Sequence, residues 1–280
     1  MMIRSIKKLM KSVKLKSRQC MLYMTEYPLR AVQDRRRTIV REQLIPTALY
    51  QTWESNQFGK THAREIEKFR DLNPEISFKI FTNEKTDQYM KESWSSHPIY
   101  QLYLRAVYGP MKADIFRYCI IYERGGYYFD IAKGCNFPLT KLHALGDSGL
   151  IAYEPVDCLI YPDVDIIRLL QHPEKYLLQW GFGFSKEHPV LKQVIDNICK
   201  HSEFFENLVF DIPKNAILML TGPGMFTRSF REVIARQPDI NVRQAGINFN
   251  GFGVFSMPKS ETRYLKIPAY QHARNGRIIN

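Results

Sequence analysis

The stretch GPMKADIFRYCIIYERGGYYFDIAKGC, residues 109–135, constrains the fold more than any other part of the chain. Met111, Ile115, Tyr118, Cys119 and Tyr122 recur at helical spacing, so its first half reads as a helix with an apolar stripe. Gly125-Gly126 is a helix stop of the expected kind. The following YYFDI is rich in β-formers and reads as a strand. Asp130 then sits near the C-terminal end of a strand, which is where α/β sheets bind ligands. Asp114 and Arg117 are three residues apart, hence neighbours on a different face of the helix. The plain reading of that spacing is a surface ion pair, and the sharper one is a functional pair.

The segments upstream fit the same architecture. IPTALYQTW is an apolar run behind a proline, as in a first buried strand. THAREIEKFRDLNP spaces Ala63, Ile66 and Phe69 on one helix face and stops at Asn73-Pro74. ISFKIFT alternates Ile76, Phe78 and Ile80, a second strand. Strand, helix and strand in about 40 residues predict a βαβ unit and a largely parallel sheet. Downstream, GLIAY and WGFGFS read as short strands. HPVLKQVIDNICKH reads as a helix with proline in its first turn, behind a structural His188. TGPGMFTRSFREVIARQ is a turn feeding another helix. Asp163 and Asp165, in YPDVD, lack the helix–glycine–strand context of Asp130, and Asp165 reads as the N-cap of the next helix.

The net charge of +12 is unevenly spread. Residues 1–41 hold twelve Lys/Arg against Glu26 and Asp34, so ten of the twelve net charges lie there. What remains is nearly neutral, unlike a nucleic-acid-binding core. Residues 3–18 place Ile3, Ile6, Leu9, Met10 and Val13 at helical spacing among lysines. That pattern predicts a basic amphipathic helix, either solvated or lying on an anionic membrane; RNA binding by this arm is a weaker alternative. Five scattered cysteines without a pairing pattern suggest a reducing compartment. With no run of about 18 apolar residues and no secretory segment, the expected location is the cytoplasm, with peripheral membrane contact through the arm. The expected division is an arm, residues 1–43, and one domain, residues 44–280.

Over roughly residues 44–280 the sequence resembles the DXD-motif sugar transferases of glycosyltransferase family 32, a group that includes yeast-type α-mannosyltransferases and capsular polysaccharide transferases and, more distantly, the glucosylating clostridial toxins. Ala113, Asp114, Arg117, Tyr118, Gly125, Gly126, Tyr128 and Asp130 match its pattern in register. IPTALYQTW, NPEISFKIFTNE, QWGFGFSKEHPVL and TGPGMFT match flanking pieces in order. The resemblance implies an α/β fold of the GT-A type: a Rossmann-like, mostly parallel mixed sheet flanked by helices. It implies a retaining enzyme that moves a sugar from a UDP- or GDP-sugar donor to a glycan or other hydroxyl acceptor by front-face displacement.

The resemblance also assigns residues. Asp130, Asp114 and Arg117 become the catalytic candidates, with Asp114 and Arg117 on donor hydroxyls. Trp53, with Tyr50 and Gln51, becomes the element that holds the base. Tyr128, Lys133 and the loop Thr221, Gly222 and Pro223 become further donor-pocket candidates. Such enzymes use Mn²⁺ or Mg²⁺ on motif carboxylates, because a divalent ion neutralises the leaving diphosphate. Here the second motif position is Ala132, followed by Lys133. Three readings stay open: an ion held by Asp130, water and His272; replacement of part of its charge by Lys133; or loss of catalysis. The last would leave a nucleotide-sugar-binding pseudoenzyme.

Overall fold

The computed structural model describes residues 13, 14, 17, 20–22, 24–37, 42–261 and 270–280. The amphipathic helix expected over residues 3–18 lies outside them, apart from three positions. In chain order the elements are β1 (Arg30–Ala31), β2 (Ala48–Thr52), β3 (Gln57–Phe58), α1 (Lys60–Asp71), β4 (Ser77–Phe81), α2 (Asn83–Trp94), α3 (Pro98–Arg105) and α4 (Gly109–Arg124). Then follow β5 (Gly126–Phe129), β6 (Gly134–Cys135), β7 (Gly149–Asp157), α5 (Val164–Ile167), β8 (Lys175–Leu177) and β9 (Gly181–Phe184). The chain continues through α6 (Pro189–Ser202), α7 (Pro213–Leu220), α8 (Pro223–Arg236), β10 (Val242–Ile247) and β11 (Gly253–Val254).

Among the described residues the central sheet has seven strands, in the order β10-β7-β9-β5-β2-β4 with β8 beside β7. β2 pairs parallel with both β4 and β5, which is the βαβ unit expected from the sequence. β9 runs antiparallel to β5 and to β7, and β8 antiparallel to β7, so five strands share one direction and two oppose it. The fold is mixed α/β with a largely parallel sheet, and strand alternation gives the sheet two buried faces. Tyr50, Tyr128, Ile151, Tyr153 and Phe182 point to one core, shared with α3, α4, α6, α7 and α8. Leu49, Tyr127, Phe129, Leu150 and Ala152 point to the other, under α1.

α4 is buried nearly all round, with Asp114 through Ile121 inside. The surface reading of the Asp114/Arg117 pair therefore gives way to a buried one. Gly125 and Gly126 end the helix with φ of +65° and +105°, the region that glycine tolerates. A Cβ at Gly126 would lie 2.4 Å from the Ala48 carbonyl oxygen, so β5 can pair this closely with β2 only because the side chain is absent. Helix α5 starts behind Asp163 rather than Asp165, which falls in its first turn.

Part of the basic N-terminal stretch packs on the domain. β1 pairs antiparallel with β3, and Arg35 bridges to Phe78. Glu26 is buried, and its carboxylate accepts from the Thr61 amide (2.7 Å) and hydroxyl (2.8 Å), satisfying the first turn of α1. Asp34 accepts from the Ile80 amide at 2.8 Å. The packed unit thus reaches back beyond Leu44 to Glu26.

Candidate functional site

β5 ends at Phe129, and Asp130 begins a turn. Its amide donates to the Trp180 carbonyl and its own carbonyl accepts from the Lys133 amide, both at 2.8 Å. This puts Asp130 at the C-terminal edge of the parallel strands. There it lines a cavity of about 770 Å³ together with Thr52, which ends β2, and with Trp53 and Glu54, which follow it. Asp114, Arg117, Lys133, Glu154, Gln179, Trp180, Pro223 and Tyr270 share that wall.

A chain of charges holds Asp130. One nitrogen of Arg117, Nη2, lies 3.0 Å from Asp130 Oδ1 and 3.1 Å from Asp114 Oδ1. The other, Nη1, donates to the Gln179 carbonyl at 3.1 Å. The guanidinium lies 4.6 Å from the centre of the Tyr128 ring, a cation–π contact. Tyr128 in turn donates its hydroxyl to Asp130 Oδ1 at 3.1 Å, as two residues on one strand face can. Asp114 Oδ2 accepts from the Thr221 hydroxyl at 2.9 Å. Tyr118 and Gln179 both donate to the Thr221 carbonyl, tying the end of α7 to α4.

The electrostatics follow from burial. Desolvation pushes Asp114 up to about 6, against the opposing pull of Arg117 and the Thr221 hydroxyl. Desolvation pulls Arg117 down, but the neighbouring Asp130, Tyr128 and Asp114 outweigh it and raise it above its ordinary value. Arg117 is thus a permanent cation with its donors directed at protein acceptors. Asp130 differs from Asp114 in keeping a third of its side-chain surface exposed.

The expected site residues divide into three groups. Trp53, Asp114, Arg117, Asp130, Lys133 and Pro223 are brought together on the cavity wall. Tyr128 and Thr221 stand one hydrogen bond behind it, fully buried, with Gly222 immediately before α8. Tyr50 and Gln51 do not reach it. Both are buried in β2, whose side chains enter the two cores, and the Gln51 amide has no hydrogen-bond partner among the described residues. His272 is exposed in a short helical turn, and the residue of that turn on the cavity wall is Tyr270. His188 is structural as expected: its Nδ1 accepts from the Val190 amide at the start of α6, and burial lowers it to about 4.

Glu154 was missed in the sequence. It lies on β7 with no motif around it, yet it lines the cavity. Burial pushes it up to about 7; Lys133 opposes that rise and Asp130 adds to it. Its position near the C-terminal end of a buried strand is the one signal that could have found it.

The residues present do not fit a divalent ion. Among the described residues no group of three or more His, Cys, Asp or Glu could hold one. The remaining residues contain none of these four types, so they add no such ligand. Oδ1 of Asp130 is engaged by Arg117 and Tyr128, and the second motif position is an alanine. The expected pair of Asp130 and His272 is therefore not supported as a metal site.

Comparison with known proteins agrees with the motif reading. Residues 59–148 match the family model described as a glycosyltransferase sugar-binding region containing a DXD motif. The inositol phosphoceramide mannosyltransferase 3 of Schizosaccharomyces pombe is 25% identical over 180 residues, covering 64% of this chain and 43% of that protein. The initiation-specific alpha-1,6-mannosyltransferase of Candida albicans is 25% identical over 223 residues, 70% of this chain and 56% of that one. The chain thus spans about half the length of these relatives or less. A solved structure, the PaToxG glycosyltransferase, aligns over 82% of this chain and 81% of its own with a TM-score of 0.49 and 16% identity. The match at Asp114, Arg117, the double glycine and Asp130 is thus part of a wider likeness, and the chain resembles the DXD-motif glycosyltransferases of the family-32 type.

Proposed function

We propose that this protein transfers a hexose from a nucleotide-sugar donor to a hydroxyl of a glycan or lipid-linked acceptor, with retention at the anomeric carbon. The relatives named above make mannose the first sugar to test. The observation that carries the reading is Asp130: a partly exposed carboxylate at the sheet's C-terminal edge, fixed by the Arg117 bridge to Asp114 and opening on a cavity large enough for a nucleotide sugar. In this reading Asp130 binds donor hydroxyls. Arg117 positions Asp130 rather than touching the donor, because its donors are directed at Asp114, Asp130 and Gln179. Trp53, half-buried and stacked on Phe58 at 6.2 Å between ring centres, offers an aromatic face to the base. Lys133 faces the diphosphate.

The test is release of nucleoside diphosphate from GDP-mannose, UDP-glucose and related donors, with and without acceptor. The native protein turns over one of them. Asp130→Asn lowers the rate by about a hundredfold or more, as expected when a group preorganised toward the reacting sugar is lost. A second reading is favoured by Ala132 alone: a binding domain without turnover. Donor binding that persists while no donor is consumed would select it.

A further inference from the structure

The family's motif carries a second carboxylate where this chain has Ala132 and then Lys133. We propose that the Lys133 ammonium, held between the rings of Phe255 and Trp180, forms a fixed diphosphate site, so that this chain binds its donor without a divalent ion. The proposal rests on the donor reading above and deepens it.

Three observations support it. First, the carboxylates do not assemble a cation site, as shown above, so charge on the diphosphate must be met by the protein's own cations. Second, the backbone pins Lys133 in place. It closes the Asp130 turn, and it leads into β6, which pairs with β11 so that Gly134 faces Val254. Phe255 follows directly, and the Lys133 ammonium donates to its carbonyl. Third, two aromatic faces flank that ammonium: its nitrogen lies 3.4 Å from the Phe255 ring centre and 5.7 Å from that of Trp180. Such faces stabilise a cation without neutralising it. A metal ion would gain nothing from Lys133, whose ammonium only donates.

The test is calorimetric titration of the whole protein with GDP-mannose and UDP-glucose, in EDTA and in Mn²⁺. The expected result is binding of one of them with Kd equal within about threefold in the two buffers. Lys133→Met weakens it at least tenfold in both, and Lys133→Arg much less. Binding that vanishes in EDTA and returns with Mn²⁺ overturns the metal-free site and leaves the donor reading standing. That comparison uses the native chain, so it does not depend on how a variant folds. Native-like affinity in folded Lys133→Met also overturns the proposal. No binding of any nucleotide sugar in either buffer overturns the donor reading on which it rests.

Discussion

Asp130 and Asp114 show how one residue type takes two roles within a single constellation. Both touch the same guanidinium nitrogen, yet Asp114 is almost wholly buried and bonded to Thr221 while Asp130 keeps a third of its side chain open. Sequence spacing located both but could not rank them, because burial is a property of neighbours rather than of the motif. The same limit misplaced Tyr50 and Gln51. They precede the cavity by one or two positions on a strand covered on both faces, and only its last residue, Thr52, and the residues past its end line the opening. Glu154 is the residue whose chemistry is most easily read in solution. Its folded pKa, about 7, lies above the ordinary 4.5, so between those values the folded protein keeps a proton that the unfolded chain has lost. The unfolded state then binds fewer protons, and stability contributed by this group falls as pH rises from about 4.5 to 7. The facing charges, Asp130 and Lys133, act in opposite senses and leave burial dominant. Glu154→Gln removes this dependence. The melting temperature of the variant relative to the native protein therefore climbs between pH 5 and pH 7.5 and levels off above that. A gap that stays constant with pH would mean that Glu154 ionises normally.

At the scale of elements, the legible parts were those where local chemistry and tertiary role agree. β2, α1, β4, α4 and β5 announce themselves by apolar period and by their stops, and all five form where expected. α2 and α3 passed unnoticed. α2 is polar, buries only Thr86, Tyr89, Met90 and Trp94, and its main signal is the Thr82 hydroxyl accepting from the Lys85 amide at its start. β10 also escaped notice. Its VRQAGI lacks a clear alternation, and parallel pairing with β7 creates it as a strand. The α4–β5 junction is the element on which the site depends most. Gly126 at φ +105° cannot take a side chain without moving β5 away from the Ala48 carbonyl. Gly126→Ala is expected to cost on the order of 3 kcal/mol from backbone strain and the clash together. Because Asp130 hangs from the far end of β5, donor binding weakens along with thermal stability. Denaturant titration and a binding assay measure the two, and loss of stability with donor affinity intact would show that β5 can shift without carrying Asp130.

For the whole molecule, composition drew a line between a basic arm and a neutral domain, but packing draws it elsewhere. Charge says where a chain is soluble, not where its core stops. Val32 is 3% exposed against the core under α1, and Arg35 pairs with Glu67 (2.9 Å) and Asp71 (2.8 Å) on that helix. Arg70, itself buried, donates to the Gln33 carbonyl at 2.6 Å. These contacts clamp α1 and β4 from outside, and β4 is the edge of the sheet nearest them. The two surface ion pairs contribute little, each about 1 kcal/mol or less. Three other losses carry more weight: a buried valine, a helix start stripped of its Glu26 acceptor, and an Ile80 amide left without Asp34. Removing residues 1–43 should therefore destabilise the domain by at least about 3 kcal/mol, whereas removing residues 1–24 should leave its unfolding midpoint nearly unchanged. Urea unfolding of the two truncations beside the full chain decides this. Equal midpoints for both truncations would mean that residues 26–37 ride on the domain without stabilising it. A large shift on removing residues 1–24 would instead assign a stabilising role to the amphipathic segment itself.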